Sequence, residues 1–423
     1  MKFEQYHISD DIKNNLDKLG FKRPTDIQFK SIPSILAGED VLAIAQTGTG
    51  KTAAFAIPVI DKIHKFKSSK RSYGIKCIVM APTRELAQQI GEVFDKLAKH
   101  TRVKTFALYG GVEQEQQIIK LQDGIDILIA TPGRMFDLIN QGVLGLLGVS
   151  TLVLDEADHM LDLGFIEDIK YIKKMIPAKH QTLFFSATIN DEIKKLAYSQ
   201  VKSEAIRIQV APKDKVSKNI SHFVMDVAQD DKRFFLERFI HENPDSRIIV
   251  FVRTRVRAER VAKAMARVNI PSETIHGDKD QDERMAVMAG FKQGEGKLLI
   301  ATDVSARGID IEGVDFVINY DLPERAENYV HRVGRTGRGI NKGIAISFCS
   351  EEEKELLTTI QTFLNKPIEP LKVTKRDYQQ TTIPKAPVED LQSLRQLIID
   401  TDEVYKQKKK SKTKAKKPKK TKK

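Results

Sequence analysis

The chain has 423 residues, 41% of them hydrophobic, which is enough apolar material for two domains with full cores. No apolar run approaches the roughly 20 residues that span a bilayer, and the polar start Met1-Lys2-Phe3-Glu4-Gln5 is unlike a secretory leader, so a soluble, cytoplasmic chain without a membrane partner is expected. Formal charge is +13, but residues 406–423 hold twelve lysines and no acid, so the basicity belongs to the tail and the rest is close to neutral. Cys77 and Cys349 each stand alone in an apolar stretch. They read as core residues, not as zinc ligands or a disulfide.

Residues 1–40 read as a lead-in with two helical segments, at 10–19 and 26–36. Between them runs Gly20-Phe21-Lys22-Arg23-Pro24-Thr25-Asp26-Ile27-Gln28. The Gln28 amide offers a donor and an acceptor that suit the N6 and N7 edge of adenine, and Phe3 is a candidate to stack on the base. A plain surface helix opened by Pro24 is the competing reading. The run Val41-Leu42-Ala43-Ile44 then leads into Ala45-Gln46-Thr47-Gly48-Thr49-Gly50-Lys51-Thr52 and a helix-like stretch from Ala53. Strand, glycine-rich turn and helix start are the context of a phosphate loop, whose backbone N–H groups cradle phosphate oxygens. Thr47, Gly48, Thr49 and Gly50 would supply the cradle, Lys51 would reach the β and γ phosphates, and Thr52 would share a Mg²⁺. Ala45 stands where the usual pattern has Gly.

Further strands are expected at 75–80, 103–108, 126–130, 152–154, 182–185 and 205–209, with helices after most of them, which predicts a mainly parallel, doubly wound α/β sheet. The strand at 152–154 runs into Asp155-Glu156-Ala157-Asp158. A strand tip is a rigid mount, so Asp155 is placed to hold Mg²⁺, Glu156 to orient or deprotonate a water, and Asp158 to make a supporting or interdomain contact. Other strand ends carry Pro82-Thr83-Arg84-Glu85-Leu86, Gly110-Gly111, Thr131-Pro132-Gly133-Arg134 and Ser186-Ala187-Thr188. In a parallel sheet they share one edge with the phosphate loop. They read either as a track for a polyanionic strand, with Arg84 and Arg134 on phosphates, or as ordinary turns and helix caps.

A linker is expected at 210–219, rich in charge and containing Pro212. Residues 220–365 repeat the alternation, with strands at 248–252, 297–301, 314–319 and 345–348, but carry no second phosphate loop. Instead come Asp303-Val304-Ser305-Ala306-Arg307-Gly308-Ile309-Asp310 and His331-Arg332-Val333-Gly334-Arg335-Thr336-Gly337-Arg338. Arg335 and Arg338 suit an arginine finger presented to a γ-phosphate, or direct nucleic-acid contact. Residues 366–405 read as an extension, with Leu391, Leu394, Leu397 and Ile398 at helical spacing as a local docking helix. The lysine run 406–423 reads as a disordered tether to RNA.

In this order the motifs resemble the full set of a DEAD-box ATP-dependent RNA helicase, with Phe251, Gln281 and Arg284 completing them and Asp155-Glu156-Ala157-Asp158 as the eponymous string. The resemblance covers residues 1 to about 365, and spacing and tail look most similar to the bacterial RhlE-type subgroup. It implies two tandem RecA-like domains, residues 1–209 and 220–365, that bind ATP, Mg²⁺ and single-stranded RNA and close on one another. On that pattern Phe3 and Gln28 select adenine, Ser186 and Thr188 couple the nucleotide to the RNA, and Arg335 and Arg338 are the fingers. Asp303 and Asp310 lie near the nucleotide. Arg84, Gly111, Thr131 and Arg134 in the first domain, with Thr254, Gln281, Arg284 and Thr302 in the second, contact the RNA backbone. A monomer working with ribosome-assembly or RNA-decay factors is expected. The alternatives are an ATP-gated RNA clamp that unwinds nothing, and a DNA-directed or transport ATPase, which the lack of a membrane-spanning stretch disfavours.

Overall fold

The computed structural model describes residues 2–46, 48–69, 74–210, 216–303, 314–337, 342–382 and 398. The described residues up to 210 form one compact unit and those from 216 onward a second. The expected linker falls between them, and 211–215 lie outside the described residues. So do Thr47, Asp310, Arg338, the stripe at 391–397 and the lysine run.

In the first unit the strands are β1 (Val41–Ala45), β2 (Cys77–Met80), β3 (Thr105–Leu108), β4 (Ile127–Ala130), β5 (Thr151–Leu154), β6 (Gln181–Ser186) and β7 (Ile206–Val210). They pair in parallel in the order β3-β4-β2-β5-β6-β1-β7. Helices cover both faces, so a strand such as β1 is apolar throughout: Val41, Ala43 and Ala45 enter one core, and Leu42 and Ile44 the other. Left-handed Gly38 (φ 87°) ends the helix Asp26–Ala37 and turns the chain into β1.

The second unit has β8 (Ile220–Asp226), β9 (Ile248–Val252), β10 (Glu273–Ile275), β11 (Leu298–Thr302), β12 (Phe316–Asn319), β13 (Gly343–Cys349) and β14 (Glu369–Pro370). Its parallel order is β10-β11-β9-β12-β13-β8-β14, strand for strand the order of the first sheet. The expected parallel α/β architecture is therefore present twice.

Two features differ from the sequence reading. Strands β8, β10 and β14 were not expected: β8 carries half-buried Ser221 and His222, which break its apolar run, β10 has three residues, and β14 ends in a proline. The boundary at 365 also moves. Pro370 pairs with Val224 across β14 and β8, and the helix Lys375–Thr382 packs on the helix Lys232–Glu242. The Tyr378 ring lies 5.0 Å from Phe235, its hydroxyl donates to Asp231 at 2.8 Å, and Arg238 Nη1 donates to Thr381 Oγ1 at 2.7 Å. Ile398 is buried in the same core. Residues 366–382 thus complete the second unit, because β8 needs a neighbour on its open edge. Both cysteines are buried and free, with burial pushing each thiol up, Cys349 to about 11.

Candidate functional site

Parallel strands bring all their carboxyl ends to one edge of a sheet, and in the first unit that edge divides in two. Adjacent strands β1, β6 and β5 end in the glycine-rich loop, in Ser186-Ala187-Thr188 and in Asp155-Glu156-Ala157-Asp158. Adjacent strands β3, β4 and β2 end in Gly110-Gly111, in Thr131 to Arg134 and in Pro82 to Leu86.

The loop reverses through Gly48 (φ 79°) and Gly50 (φ 89°), a conformation that L side chains rarely adopt, and delivers Lys51 to the first position of the helix Lys51–Ser69. Lys51 is 6% exposed, and its Nζ has no hydrogen-bond partner among the described residues. A buried ammonium left in this way costs free energy until an anion arrives, and it sits at a helix N-terminus that favours one. Asp155, buried at the tip of β5, feels this ammonium. Burial pushes its carboxyl up to about 6, Lys51 pulls it down, and Glu156 and Asp158 push it up again. Asp155 Oδ1 accepts the Glu156 N–H at 2.9 Å. Glu156 is left-handed (φ 47°, ψ 50°), a strained choice for a residue with a Cβ, and its carboxylate lies 3.6 Å from His159 Nδ1. Asp158 Oδ2 accepts both the N–H of Thr188 (3.0 Å) and its hydroxyl (2.8 Å), while Ser186 Oγ donates to the Thr188 carbonyl at 2.8 Å. Asp158 therefore ties the acidic tetrad to the Ser-Ala-Thr turn of the neighbouring strand.

Gln28 is buried. Its Oε1 accepts the Thr25 N–H at 3.0 Å in a capping box, and its Nε2 donates to the Gly50 carbonyl at 3.1 Å. The amide expected to read a base thus also clamps the lead-in to the phosphate loop, leaving one lone pair and one N–H. Phe3, expected as a stacking ring, is instead 4% exposed in the core with Phe21 edge-on at 6.2 Å. The segment at 2–6 is anchored by that burial.

On the other half of the edge, Thr83 caps the helix Arg84–Ala98, and the Arg84 guanidinium lies over Gly110 and left-handed Gly111, where a side chain would collide with it. Thr131 is the N-cap of the helix Pro132–Asn140. Arg134 donates to Gln117 Oε1 (2.5 Å) and to the Val112 carbonyl (3.2 Å), so both arginines are docked around the Gly110 to Val112 turn. The cap reading holds, and the caps fix where the two arginines sit.

The second unit gathers its expected residues on the matching strands β10, β11 and β9. Thr254 caps the helix Arg255–Ala266 by accepting the Arg257 N–H at 3.2 Å, Thr302 ends β11, and Gln281 and Arg284 open the helix Gln281–Gln293 that follows β10. Asp303, expected beside a nucleotide, is clamped by buried Arg332 through Nε (2.5 Å) and Nη2 (2.9 Å). Arg332 Nη1 also reaches the Asp321 carbonyl at 2.7 Å, and its guanidinium stacks over Phe251. Nothing in the spacing of His331 to Arg338 separates this anchor from the expected fingers. Arg335 is 4% exposed and its Nε donates to the His331 carbonyl at 3.2 Å.

Among the described residues there is no group of three or more His, Cys, Asp or Glu that would hold a metal by itself. Asp155 and Thr52 are the residues that could hold a Mg²⁺, an ion that takes only one or two protein oxygens and completes its shell with waters and phosphate oxygens. No described helix is long and apolar enough to cross a membrane.

Comparison with known proteins agrees with this geometry. The pattern of the DEAD/DEAH box helicase family matches residues 25–196, and that of the helicase conserved C-terminal domain matches residues 231–339. The DEAD-box ATP-dependent RNA helicase CshA of Bacillus cereus is 43% identical over 359 residues, 85% of this chain and 67% of that protein. CshA of Bacillus subtilis is 40% identical over 386 residues, 90% of this chain and 77% of that one. Dbp5 of S. cerevisiae, solved bound to RNA and ADP BeF3, superposes with a TM-score of 0.79 at 29% identity, covering 90% of this chain and 97% of that chain. The relatives named here are CshA proteins, so the RhlE-type subgroup expected from the sequence is not supported. A lysine-rich tail is a matter of composition and does not carry a subgroup.

Proposed function

This chain belongs to the DEAD/DEAH box helicase family, and we propose that it is an RNA-stimulated ATPase that binds single-stranded RNA by its backbone and opens short duplexes locally. The observation that carries this reading is the buried Lys51 ammonium, without a hydrogen-bond partner among the described residues, acting on the Asp155 carboxyl just past β5.

ATP enters with its base toward Gln28 and its phosphates on the amides of 47–50. Lys51 binds the β and γ phosphates, and Thr52 and Asp155 hold Mg²⁺, which when bound neutralises phosphate charge. Glu156, 6% exposed and left-handed just past the tip of β5, orients or deprotonates the attacking water. Arg335 is the described candidate for charge stabilisation from the second unit; Arg338 and Asp310 share that proposal but lie outside the described residues. Asp303 acts by positioning Arg332. Hydrolysis is felt at the RNA through the Asp158 to Thr188 bonds, which tie the acidic tetrad after β5 to the Ser-Ala-Thr turn after β6.

RNA runs over Arg84, Gly111, Thr131 and Arg134 on one sheet and over Thr254, Gln281, Arg284 and Thr302 on the other. Contact with phosphates and sugars alone carries little sequence preference. ATP and RNA both favour the closed pair of domains, so each raises the affinity of the other, and hydrolysis resets the open state. A cytoplasmic monomer working with ribosome-assembly or RNA-decay factors belongs to the same proposal.

The test is ATP hydrolysis by the full chain alone, with single-stranded RNA, and with DNA of matched sequence, using Lys51→Ala as the blank. Strong stimulation by RNA and little by DNA is expected. Equal turnover under all three conditions would leave the nucleotide site standing and remove its coupling to RNA.

A further inference from the structure

The helix Arg255–Ala266 begins at Thr254 and carries a row of cations along one side: Arg257, Arg260, Lys263 and, just past its end, Arg267. Spacings of three and four residues put these side chains on a common face. Across from them, Gln229, Asp230 and Arg233 at the start of the helix Lys232–Glu242, together with Tyr320, close a groove of about 440 Å³.

Its cations contrast with four arginines nearby that are paired. Arg253 pairs with Glu353, Arg255 with Asp278, Arg257 with Asp321 and Arg332 with Asp303. Arg260, Lys263 and Arg267 are exposed, and none of them makes a hydrogen bond, ion pair or ring contact among the described residues. Asp230 is the one carboxylate lining the groove. Three uncompensated like charges within two helical turns repel one another, and a polyanion relieves that repulsion.

We propose that this row is a second phosphate track, which holds RNA running beyond the strand-end contacts. The proposal rests on the RNA-binding reading above. It favours RNA over an acidic protein for two reasons. The row starts on the helix that Thr254 caps and extends roughly 20 Å from there, long enough for several consecutive phosphates. The groove also has no open apolar anchor of the kind a protein partner needs, since Val261 and Tyr320 are buried and Ala264 is small.

The experiment measures equilibrium RNA binding by three full-length chains over a salt series: wild type, the triple variant Arg260→Gln, Lys263→Gln, Arg267→Gln, and the charge-keeping Arg260→Lys, Arg267→Lys. One single-stranded RNA fills only the strand-end contacts, and another is about twice as long. Three released counterions change the log–log salt slope by about 2, so between about 50 and 200 mM salt the wild type should lose about twenty-fold more affinity for the long RNA than the triple variant does. The lysine tail is common to all three chains and cancels. The Lys variant should follow wild type, the short RNA should bind all three alike, and saturated ATP turnover should not change. Equal affinity and slope for the triple variant and wild type on the long RNA would overturn the track, and an acidic protein would then be the remaining partner. A slope difference in a chain whose turnover ignores RNA would uphold the track and remove the coupling of ATP hydrolysis to RNA instead.

Discussion

The two units share one strand order, and each opens the helix after its first strand with a buried lysine, yet the lysines are treated in opposite ways. Lys232, 0% exposed, donates to Glu353 Oε2 at 2.5 Å and lies 3.9 Å from Asp321. Lys51, at the matching place after β1, has no hydrogen-bond partner among the described residues and acts on the Asp155 carboxyl only at a distance. Burial pulls the Lys232 ammonium down and Glu353 holds it up, so the second unit satisfies its lysine internally. The difference teaches how one architecture yields a ligand site in one copy and a closed structure in the other. The scaffold supplies a cation at a helix N-terminus, and on the proposed function the absence of a hydrogen-bonded counter-ion there leaves the place to a phosphate.

Substitutions that cross the two copies test this reading. The largest expected effect is chemical: Glu156→Gln keeps the size and the left-handed backbone but removes the base, so RNA-stimulated turnover should fall about 100- to 10,000-fold with ATP and RNA still bound together. Normal turnover in a steady-state assay would remove Glu156 from the chemistry. Next, Lys232→Met leaves Glu353 buried without its cation and should cost about 3–5 kcal/mol in urea unfolding, whereas Lys51→Met removes a buried charge that has no hydrogen-bonded counter-ion among the described residues and should cost far less in the ligand-free protein. Equal losses in the two variants would erase the contrast.

A smaller effect concerns Asp155. Burial raises its carboxyl from 3.8 to about 6. The folded state therefore holds a proton that the unfolded chain releases, and stability falls as pH rises through that window. Asp155→Asn should stabilise the ligand-free protein by up to about 3 kcal/mol at neutral pH and by nothing below about pH 4. A gain that does not vary with pH would contradict the assignment. Smallest is Gly50→Ala, whose Cβ would meet Gln28 Nε2 at 2.5 Å at φ +89°. A cost of about 1–2 kcal/mol is expected, with weaker ATP binding and unchanged unfolding of the second unit.

Much of this was legible in the sequence because it is local. Apolar runs buried on both faces announce β1, β2, β4, β5 and β9, and a strand followed by Gly-x-Gly-Lys-Thr fixes a phosphate loop whatever surrounds it. The parallel order then places every strand-end motif on one edge. What stayed hidden depends on partners far apart in the chain. Lys232 and Glu353 lie 121 residues apart, and Arg332 and Asp303 meet only when β11 and the helix Ala326–Val333 are in place. Gln28 looked like a free reader, but its Gly50 bond is 22 residues away. The polar break in β8 hid a central strand, and the boundary at 365 followed from prolines that the edge strand β14 tolerates.

The most direct test of the contrast between the two lysines is equilibrium binding of ATP and AMP to wild type and to Lys51→Met, each as the full chain with magnesium. AMP lacks the phosphates that Lys51 is held to receive. ATP affinity should therefore fall about 10- to 100-fold in the variant, the worth of a buried charge-assisted hydrogen bond, while AMP affinity stays the same. Unchanged ATP affinity, or an equal loss for both nucleotides, would contradict the claim that the missing counter-ion of Lys51 is the nucleotide's phosphate.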